Sequence, residues 1–121
     1  MTIRVICLLR RLPGTTHQQF SDHWGKNHAK IFANLKAVKE NIVRYNQFHV
    51  LPSHSKTLAS IGLTVASFDG AAEFYVEKME DLLAVFGDTE YQQHAIPDEQ
   101  NFLDRSSVEI LVGEDQIKYQ K

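Results

Sequence analysis

One cysteine, three prolines and six glycines in 121 residues leave little to cross-link, interrupt or loosen this chain, and each scarcity removes a class of function. Cys7 has no second cysteine to pair with. Lying inside the apolar run Ile3 to Leu9, it reads as a buried, inert thiol rather than a nucleophile. The glycines at 14, 25, 62, 70, 87 and 113 are too dispersed for a GxGxxG turn or a P-loop, where clustered glycines let backbone amides approach phosphate. No serine is framed as GxSxG, which takes away the local signature of an α/β-hydrolase. Excess charge is lacking too: 13 Lys and Arg against 15 Asp and Glu give a net charge of -2, with no electrostatic footprint for nucleic acid or an anionic membrane. Ile3 to Leu9 is too short for a signal h-region followed by a small-residue cleavage site, and nothing later approaches a membrane span. The expectation is a cytoplasmic protein acting on small molecules.

With 43% hydrophobic and 23% charged residues, the chain has the composition of an ordinary globular protein, read as a single domain over 1–121 with its own core. Arg4 to Leu12 is a first strand closed by Pro13-Gly14. Thr16 with Gln19 is a capping box, opening a helix whose apolar spacing runs to about Leu35 or Val38. Gly25 inside that helix costs up to about 1 kcal/mol relative to Ala, and marks either a close approach to a neighbour or a tolerated defect. Ile42 to Val50 alternates, with Val43, Tyr45, Gln47 and His49 on one face. Leu51 to Ser55 reads as a loop and the β-branched run Ile61 to Phe68 as a third strand. Asp69 then caps a helix carried by Ala72, Tyr75, Val76, Met79, Leu82, Leu83 and Phe86, stopped by Gly87. A short helix from Asp88 to Ile96 is ended by Pro97, and Val108 to Val112 supplies the last strand. The order βαββα(α)β predicts an α+β, ferredoxin-like fold, a four-stranded antiparallel sheet with both long helices on one face. The first strand offers Ile3, Val5, Cys7 and Leu9 to one side and Ile6 and Leu8 to the other. A second copy packed sheet to sheet would bury the face that the helices leave open, so a homodimer is expected.

The candidate chemistry begins with a histidine in an apolar stripe. Phe20, Trp24, His28, Ile31 and Leu35 fall three or four residues apart on one helical face, where an unpaired imidazole would cost on the order of 1–3 kcal/mol. His28 must therefore find a partner or line a cavity. A helix laid on the sheet would bring it over the strand face of Tyr45, Gln47 and His49, and two imidazoles in one apolar pocket lower each other's pKa and leave a general base. Trp24 and Phe20 serve a core as readily as they flank a flat ligand. His23 and His28, five residues apart and so roughly 140° around an α-helix, cannot form an i, i+4 metal pair. No metal and no cofactor are expected. His94, Asp98 and Glu99 read as a solvated helix end, and His17 and His54 as surface residues.

Several short motifs then fall in a familiar order: Arg11-Leu12-Pro13-Gly14, Phe20-Ser21-Asp22-His23-Trp24 with His28-Ala29, Arg44-Tyr45 with Gln47 and His49, Phe68-Asp69-Gly70, Asp98-Glu99, and Phe102-Leu103-Asp104 before Val108 to Glu114. Over nearly its whole length the chain resembles EthD-domain proteins of the dimeric α+β barrel superfamily. Many relatives carry Gly-Pro after the helix histidine, where this chain has Ala29-Lys30. The resemblance implies a homodimer with a ligand cavity between sheet and helices, and a cofactor-free enzyme of aromatic polyketide tailoring. The first expectation is a decarboxylase acting on an anthrone-type polyketide acid. The alternatives are a dehydratase or cyclase, a cofactor-independent aromatic oxygenase, or a non-catalytic protein that binds a small aromatic molecule. On this reading His28 and His49 are catalytic with Asp104 orienting a histidine, while Phe20, Trp24, Tyr45, Gln47 and His94 contact substrate.

Overall fold

The computed structural model describes residues 2–121. Four antiparallel strands, β1 (Ile3–Leu9), β2 (Arg44–His49), β3 (Gly70–Val76) and β4 (Glu109–Gly113), form one sheet in the order β2-β3-β1-β4. Cys7 stands opposite Ala72 on β3 and Ile110 on β4, and Gln47 opposite Ala72 from the other side. Because side chains alternate along a strand, this register gathers Val5, Cys7, Leu9, Tyr45, Gln47, His49, Ala72, Phe74 and Ile110 on one face. The helices cover that face. The first, α1, runs over 17–33 in three segments: α-helical His17–Asp22, a π-helical stretch His23–His28, and α-helical Ala29–Ala33. After Asn34 the chain turns into α2 (Lys36–Asn41). Beyond β2 comes α3 (Pro52–Ser60), beyond β3 comes α4 (Met79–Phe86), and α5 spans 91–99 as a π-helical stretch Tyr91–Ala95 followed by Ile96–Glu99. Phe20, Trp24, Phe32, Val76, Val85 and Phe102 fill the core between sheet and helices. The architecture is the expected α+β ferredoxin-like one, and among the described residues no helix is long and apolar enough to cross a membrane.

Local signals explain the elements that formed where expected. The Thr16–Gln19 capping box is present in both directions, each side chain meeting the other's backbone amide, which satisfies two donors a helix start would otherwise leave bare. The third strand is a correction. Ile61 to Phe68, the β-branched run, forms no strand; Ile61 is 70% exposed, and β3 is instead Gly70–Val76. Residues 72–76, expected to begin a helix, lie in the sheet. A strand flanked by neighbours and buried on both faces shows no alternation, so its apolar positions fitted a 3.6-residue period by coincidence. Asp69 does not cap a helix either. Its carboxylate takes the Arg11 amide and guanidinium at 2.8 and 2.9 Å and His17 Nδ1 at 2.9 Å, so His17, expected at the surface, is half-buried in this knot. The first helix ends at Ala33 and breaks at Asn34, close to the Leu35 bound, rather than running on to Val38. Leu51 to Ser55, expected as loop, enters α3, which buries none of its residues. Pro97 does not end the short helix, which runs on through it to Glu99; the π-helical stretch Tyr91–Ala95 just before it is where the ladder opens ahead of the residue that lacks an N–H.

Two glycines mark close approaches. A Cβ on Gly70 would stand 2.5 Å from Trp24 Cζ3 and 2.9 Å from the Phe48 carbonyl, so β3 begins where only hydrogen fits beneath the indole. Gly25 faces His49 Cε1, 3.3 Å from where its Cβ would be, which resolves the two sequence readings in favour of a close approach. Gly70→Ala should destabilise the fold by about 1–3 kcal/mol through overpacking. A denaturant titration should show the midpoint lowered at unchanged slope, whereas Gly113→Ala, with open space around it, should leave the midpoint in place.

Candidate active site

An apolar cavity of about 360 Å³ lies between the inner sheet face and the helices. Its floor comes from Cys7, Leu9, Tyr45, Ala72 and Phe74 of the sheet, with Ile110 at the β4 side. Trp24, His28 and Phe32 of α1 and Tyr91, Ile96 and Glu99 of α5 close it, and Arg105 lies at its wall. Few polar groups line it, which is the usual composition of a small-molecule site.

The π stretch in α1 decides where His28 points. The Ala29 amide bonds the Trp24 carbonyl, five residues back, and a turn closed from i to i+5 brings residues five apart round to the same side. His23 and His28, divergent on an ideal α-helix, thus converge on one carboxylate of α5. Asp98 Oδ1 lies 2.9 Å from His23 Nε2, and Oδ2 lies 3.0 Å from His28 Nδ1. A carboxylate only accepts, so both ring nitrogens donate. His28 then keeps its lone pair on Nε2, which has no hydrogen-bond partner among the described residues. Burial pushes the His28 pKa below the ordinary 6.5; the Asp98 hydrogen bond and charge oppose this, and the His23 charge adds to it. Burial alone would raise Asp98, yet donation from His23, His28 and Asn101 holds it below the ordinary 3.8. His28 is therefore a neutral, oriented imidazole backed by an ionised carboxylate, the arrangement that makes a general base.

Glu99, the next residue along α5, turns into the cavity. It is 9% exposed, and Oε2 has no well-directed hydrogen bond, although Arg105 Nε lies 3.3 Å away. Burial raises its pKa above the ordinary 4.5 against the pull of Arg105 and Tyr91, and the Asp98 charge raises it further. The neighbouring groups respond to the same surroundings. Burial and the Glu99 charge push the Cys7 thiol up to about 11, which is an inert thiol as the sequence suggested, and burial with Glu99 raises Tyr91. The cavity therefore holds a histidine biased towards neutrality and a carboxyl biased towards its protonated form.

The expected pairing of His28 with His49 is not made. His49 lies against Trp24 with ring centroids 4.6 Å apart, and bonds Ser21 Oγ through Nδ1 at 2.5 Å and Gln47 Oε1 through Nε2 at 2.8 Å. It does not line the cavity, and nor do Gln47 or the fully buried Phe20, which packs between Trp24 and Phe102. Burial and the His17 charge, not His28, lower the His49 pKa. The reason is angular: the π stretch sends His28 towards α5 while Trp24 stands over β2. His94 is exposed, away from the cavity. Asp104 accepts from Ser106 Oγ at 2.7 Å and leads into the Arg105–Ser107 turn, so it orients no histidine. Trp24 and Tyr45 do line the cavity as expected. Asp98 and Glu99, read as a solvated helix end, are the partners that the sequence left out. The signal was there for Glu99, since Tyr91, Ala95 and Glu99 recur every four residues as one buried stripe, the same pattern that singled out His28.

Known proteins bear on this geometry. A family model described as the EthD domain matches residues 12–106. The chain is 26% identical over 107 residues to a curated protein of Metarhizium robertsii named conidial pigment biosynthesis dehydratase EthD, covering 85% of this chain and 75% of that one. Among solved structures it is similar to an ethyl tert-butyl ether D (EthD) family protein of Bacillus halodurans, with TM-score 0.65, 17% identity, and 96% and 100% of the two chains covered. It is also similar to a protein of Bacteroides fragilis described as dimeric and ferredoxin-like, with TM-score 0.65, 10% identity, and 94% and 96% covered. At these identities the two structures show the fold alone.

The carboxylate bridge predicts how stability responds to acid. Asp98 is held below 3.8 in the fold, so its contribution is complete above that value and is lost as pH falls through the lowered one. His28, held below 6.5, acts in the same direction, because the unfolded chain takes up its proton first. Glu99, raised above 4.5, acts the other way, so denaturant midpoints should fall from about pH 7 as His28 charges, less steeply while Glu99 takes up its proton, and again below 3.8 as Asp98 is lost. Asp98→Asn should be less stable near neutrality by about 1–3 kcal/mol, one buried donor being stranded; because Asp98 holds the His28 pKa up, the deficit should widen as the pH falls through 6.5 and shrink only below 3.8, where wild type loses the carboxylate.

Proposed function

The chain belongs to the EthD domain family, and from that premise we propose that it is a lyase which removes water from a flat, hydroxylated ketone of the aromatic polyketide type, by proton transfer between its own side chains. The observation that carries this reading is the opposed bias of His28 and Glu99 in one apolar cavity. Two titratable groups driven apart by their surroundings are the pattern of an assigned base and acid. His28 Nε2 takes a proton from the carbon beside the substrate carbonyl, and the released electron pair forms the new carbon–carbon double bond. The β carbon–oxygen bond breaks as Glu99 gives its proton to the departing hydroxyl, which leaves as water. His28 then returns its proton and Glu99 regains one through solvent, so the cycle balances. Asp98 steadies the imidazolium that forms, Tyr45 reaches the carbonyl oxygen, and Trp24 with Phe32 flanks the ring system. Each step is a proton transfer, which calls for no cofactor. The name of the Metarhizium relative as a dehydratase supports the same class.

Decarboxylation, the first expectation from the resemblance, stands second. Arg105 is the cation of the cavity wall suited to hold a substrate carboxylate, but Glu99 Oε2 already lies 3.3 Å from its Nε and competes for it. The proposal includes a second copy of the chain. The outer sheet face carries Ile6, Leu8, Phe48 and Leu111, the last two 58% exposed, and a lone sheet with helices on one side leaves that face wet. The Bacteroides protein of the same fold, described as dimeric, supports it. Sedimentation at micromolar concentration should give a dimer, and a monomer overturns this part.

Turnover on a β-hydroxy ketone of the hydroaromatic type should follow a bell-shaped pH profile. Its acid limb should lie below 6.5, where neutral His28 is lost, and its alkaline limb above 4.5, where the Glu99 proton is lost. His28→Gln should cost about 10²–10⁴-fold in rate with the fold retained, and Glu99→Gln should remove the alkaline limb. Release of water with no carbon dioxide supports dehydration. Carbon dioxide released from a carboxylated substrate, with no elimination, would move the assignment to decarboxylation.

A further inference from the structure

A file of polar side chains runs behind the cavity wall, touching the cavity only at its last member. Ser21 Oγ, His49 Nδ1, His49 Nε2, Gln47 Oε1, Gln47 Nε2 and Tyr45 Oη follow one another at 2.5, 2.8 and 2.8 Å between side chains. Its direction is fixed from one end. Gln47 Nε2 lies 3.0 Å from the Trp24 carbonyl, and a carbonyl only accepts, so that atom must be the amide nitrogen. Oε1 therefore faces His49 and accepts from Nε2–H. A neutral His49 then has its lone pair on Nδ1, where the Ser21 hydroxyl donates. The second Gln47 N–H is directed at the Tyr45 oxygen, so the phenol accepts from the protein and its own hydrogen has no acceptor among the described residues.

We infer that Gln47 and His49 are positioning residues that make the Tyr45 hydroxyl a one-way donor into the cavity, so that the ligand must present an acceptor oxygen there, a carbonyl or an enolate. The inference rests on the cavity being the ligand site, as proposed above. The fold supplies each part. In the π stretch the Trp24 carbonyl takes the Ala29 amide and is shared with Gln47, while Gly25 leaves the space in which His49 Cε1 sits. Tyr45, Gln47 and His49 alternate on one face of β2, which lines up their side chains in chain order. A donor held ready where negative charge develops on a carbonyl oxygen stabilises the enolate of an elimination without reorganising. A ligand hydroxyl at that position can only accept, with its own hydrogen turned elsewhere, so the site calls for an acceptor there and turns away a group that only donates.

Binding can be read without turnover. The chain has one tryptophan, Trp24, in the cavity wall, so a single indole N–H resonance reports occupancy by titration. The probes are 1-tetralone, a bicyclic ketone whose oxygen only accepts, and tetralin, the same rings without oxygen. Wild type should prefer the ketone by about three- to tenfold, the worth of one neutral hydrogen bond. Gln47→Glu replaces the donor with a carboxylate that accepts from Tyr45 and turns its hydrogen away from the cavity. The preference should fall to about onefold, with tetralin affinity unchanged. Tyr45→Phe should give the same loss. Should Gln47→Glu fail to fold, Gln47→Met, similar in shape but without the N–H donors, should lower the preference as well. An unchanged ketone preference in whichever Gln47 variant folds, or no preference in wild type, overturns the inference. Absence of turnover with the ketone preference intact would count against the dehydratase reading alone.

Discussion

The Asp98 carboxylate, held between His23 and His28, ties α1 to α5 across the top of the cavity, and much of the site depends on that one bridge. It gives both imidazoles a partner, so that His28 can lie in an apolar stripe at 6% exposure without the cost of an unmet donor. It fixes the tautomer that leaves Nε2 free. By anchoring the end of α5 it also determines where Glu99 goes, since adjacent residues on a helix point about 100° apart. One residue faces the neighbouring helix and the next faces the cavity. Removing the carboxylate would therefore disturb the orientation of two groups at once, and the histidine and the glutamate should be treated as coupled.

What was legible in the residues follows from the range of each signal. The capping box at Thr16, the alternation of β2 and the close of α4 at Gly87 are local, and the structure repeats them. The fold class followed from their order. β3 was not legible because, between two neighbouring strands, its residues are buried almost without alternation, and Gly70-Ala71-Ala72 carries the small residues of a packed centre rather than a period. The exposed run at 61–67, richer in β-branched residues, was the better strand by propensity and the worse one by burial, since a strand is stabilised by what it packs against. His28 stood out as a cavity residue because a polar group in an apolar stripe needs an explanation. Its partner could not be found from angles, because the angle assumed 3.6 residues per turn where the chain departs from it.

The same cavity accounts for groups that otherwise look unrelated. Cys7, Tyr91 and Glu99 are each shifted towards their neutral forms by burial around one apolar space, and Arg105 at the wall is the nearest cationic counterweight. Such an interior favours reactions in which protons move and net charge stays low. The polar side of the site is arranged differently: Ser21, His49 and Gln47 keep their hydrogen bonds to one another behind Trp24, so they influence the cavity through the single hydroxyl that emerges from it. Dry walls with two or three aimed polar atoms suit a flat ketone better than a ligand rich in hydroxyls.

The π stretch at His23–His28 holds one residue more than an ordinary turn of the same helix would. A chain one residue shorter there would close the turn as α-helix, and residues four apart at about 100° each come round to the same side just as residues five apart do across the wider turn. The two histidines could keep their shared carboxylate, and the helix on either side its phase, while the residues between them, Trp24 and Gly25 included, would be redistributed around a tighter turn. Insertion and deletion at this one place can therefore vary what faces the sheet without unmaking the bridge.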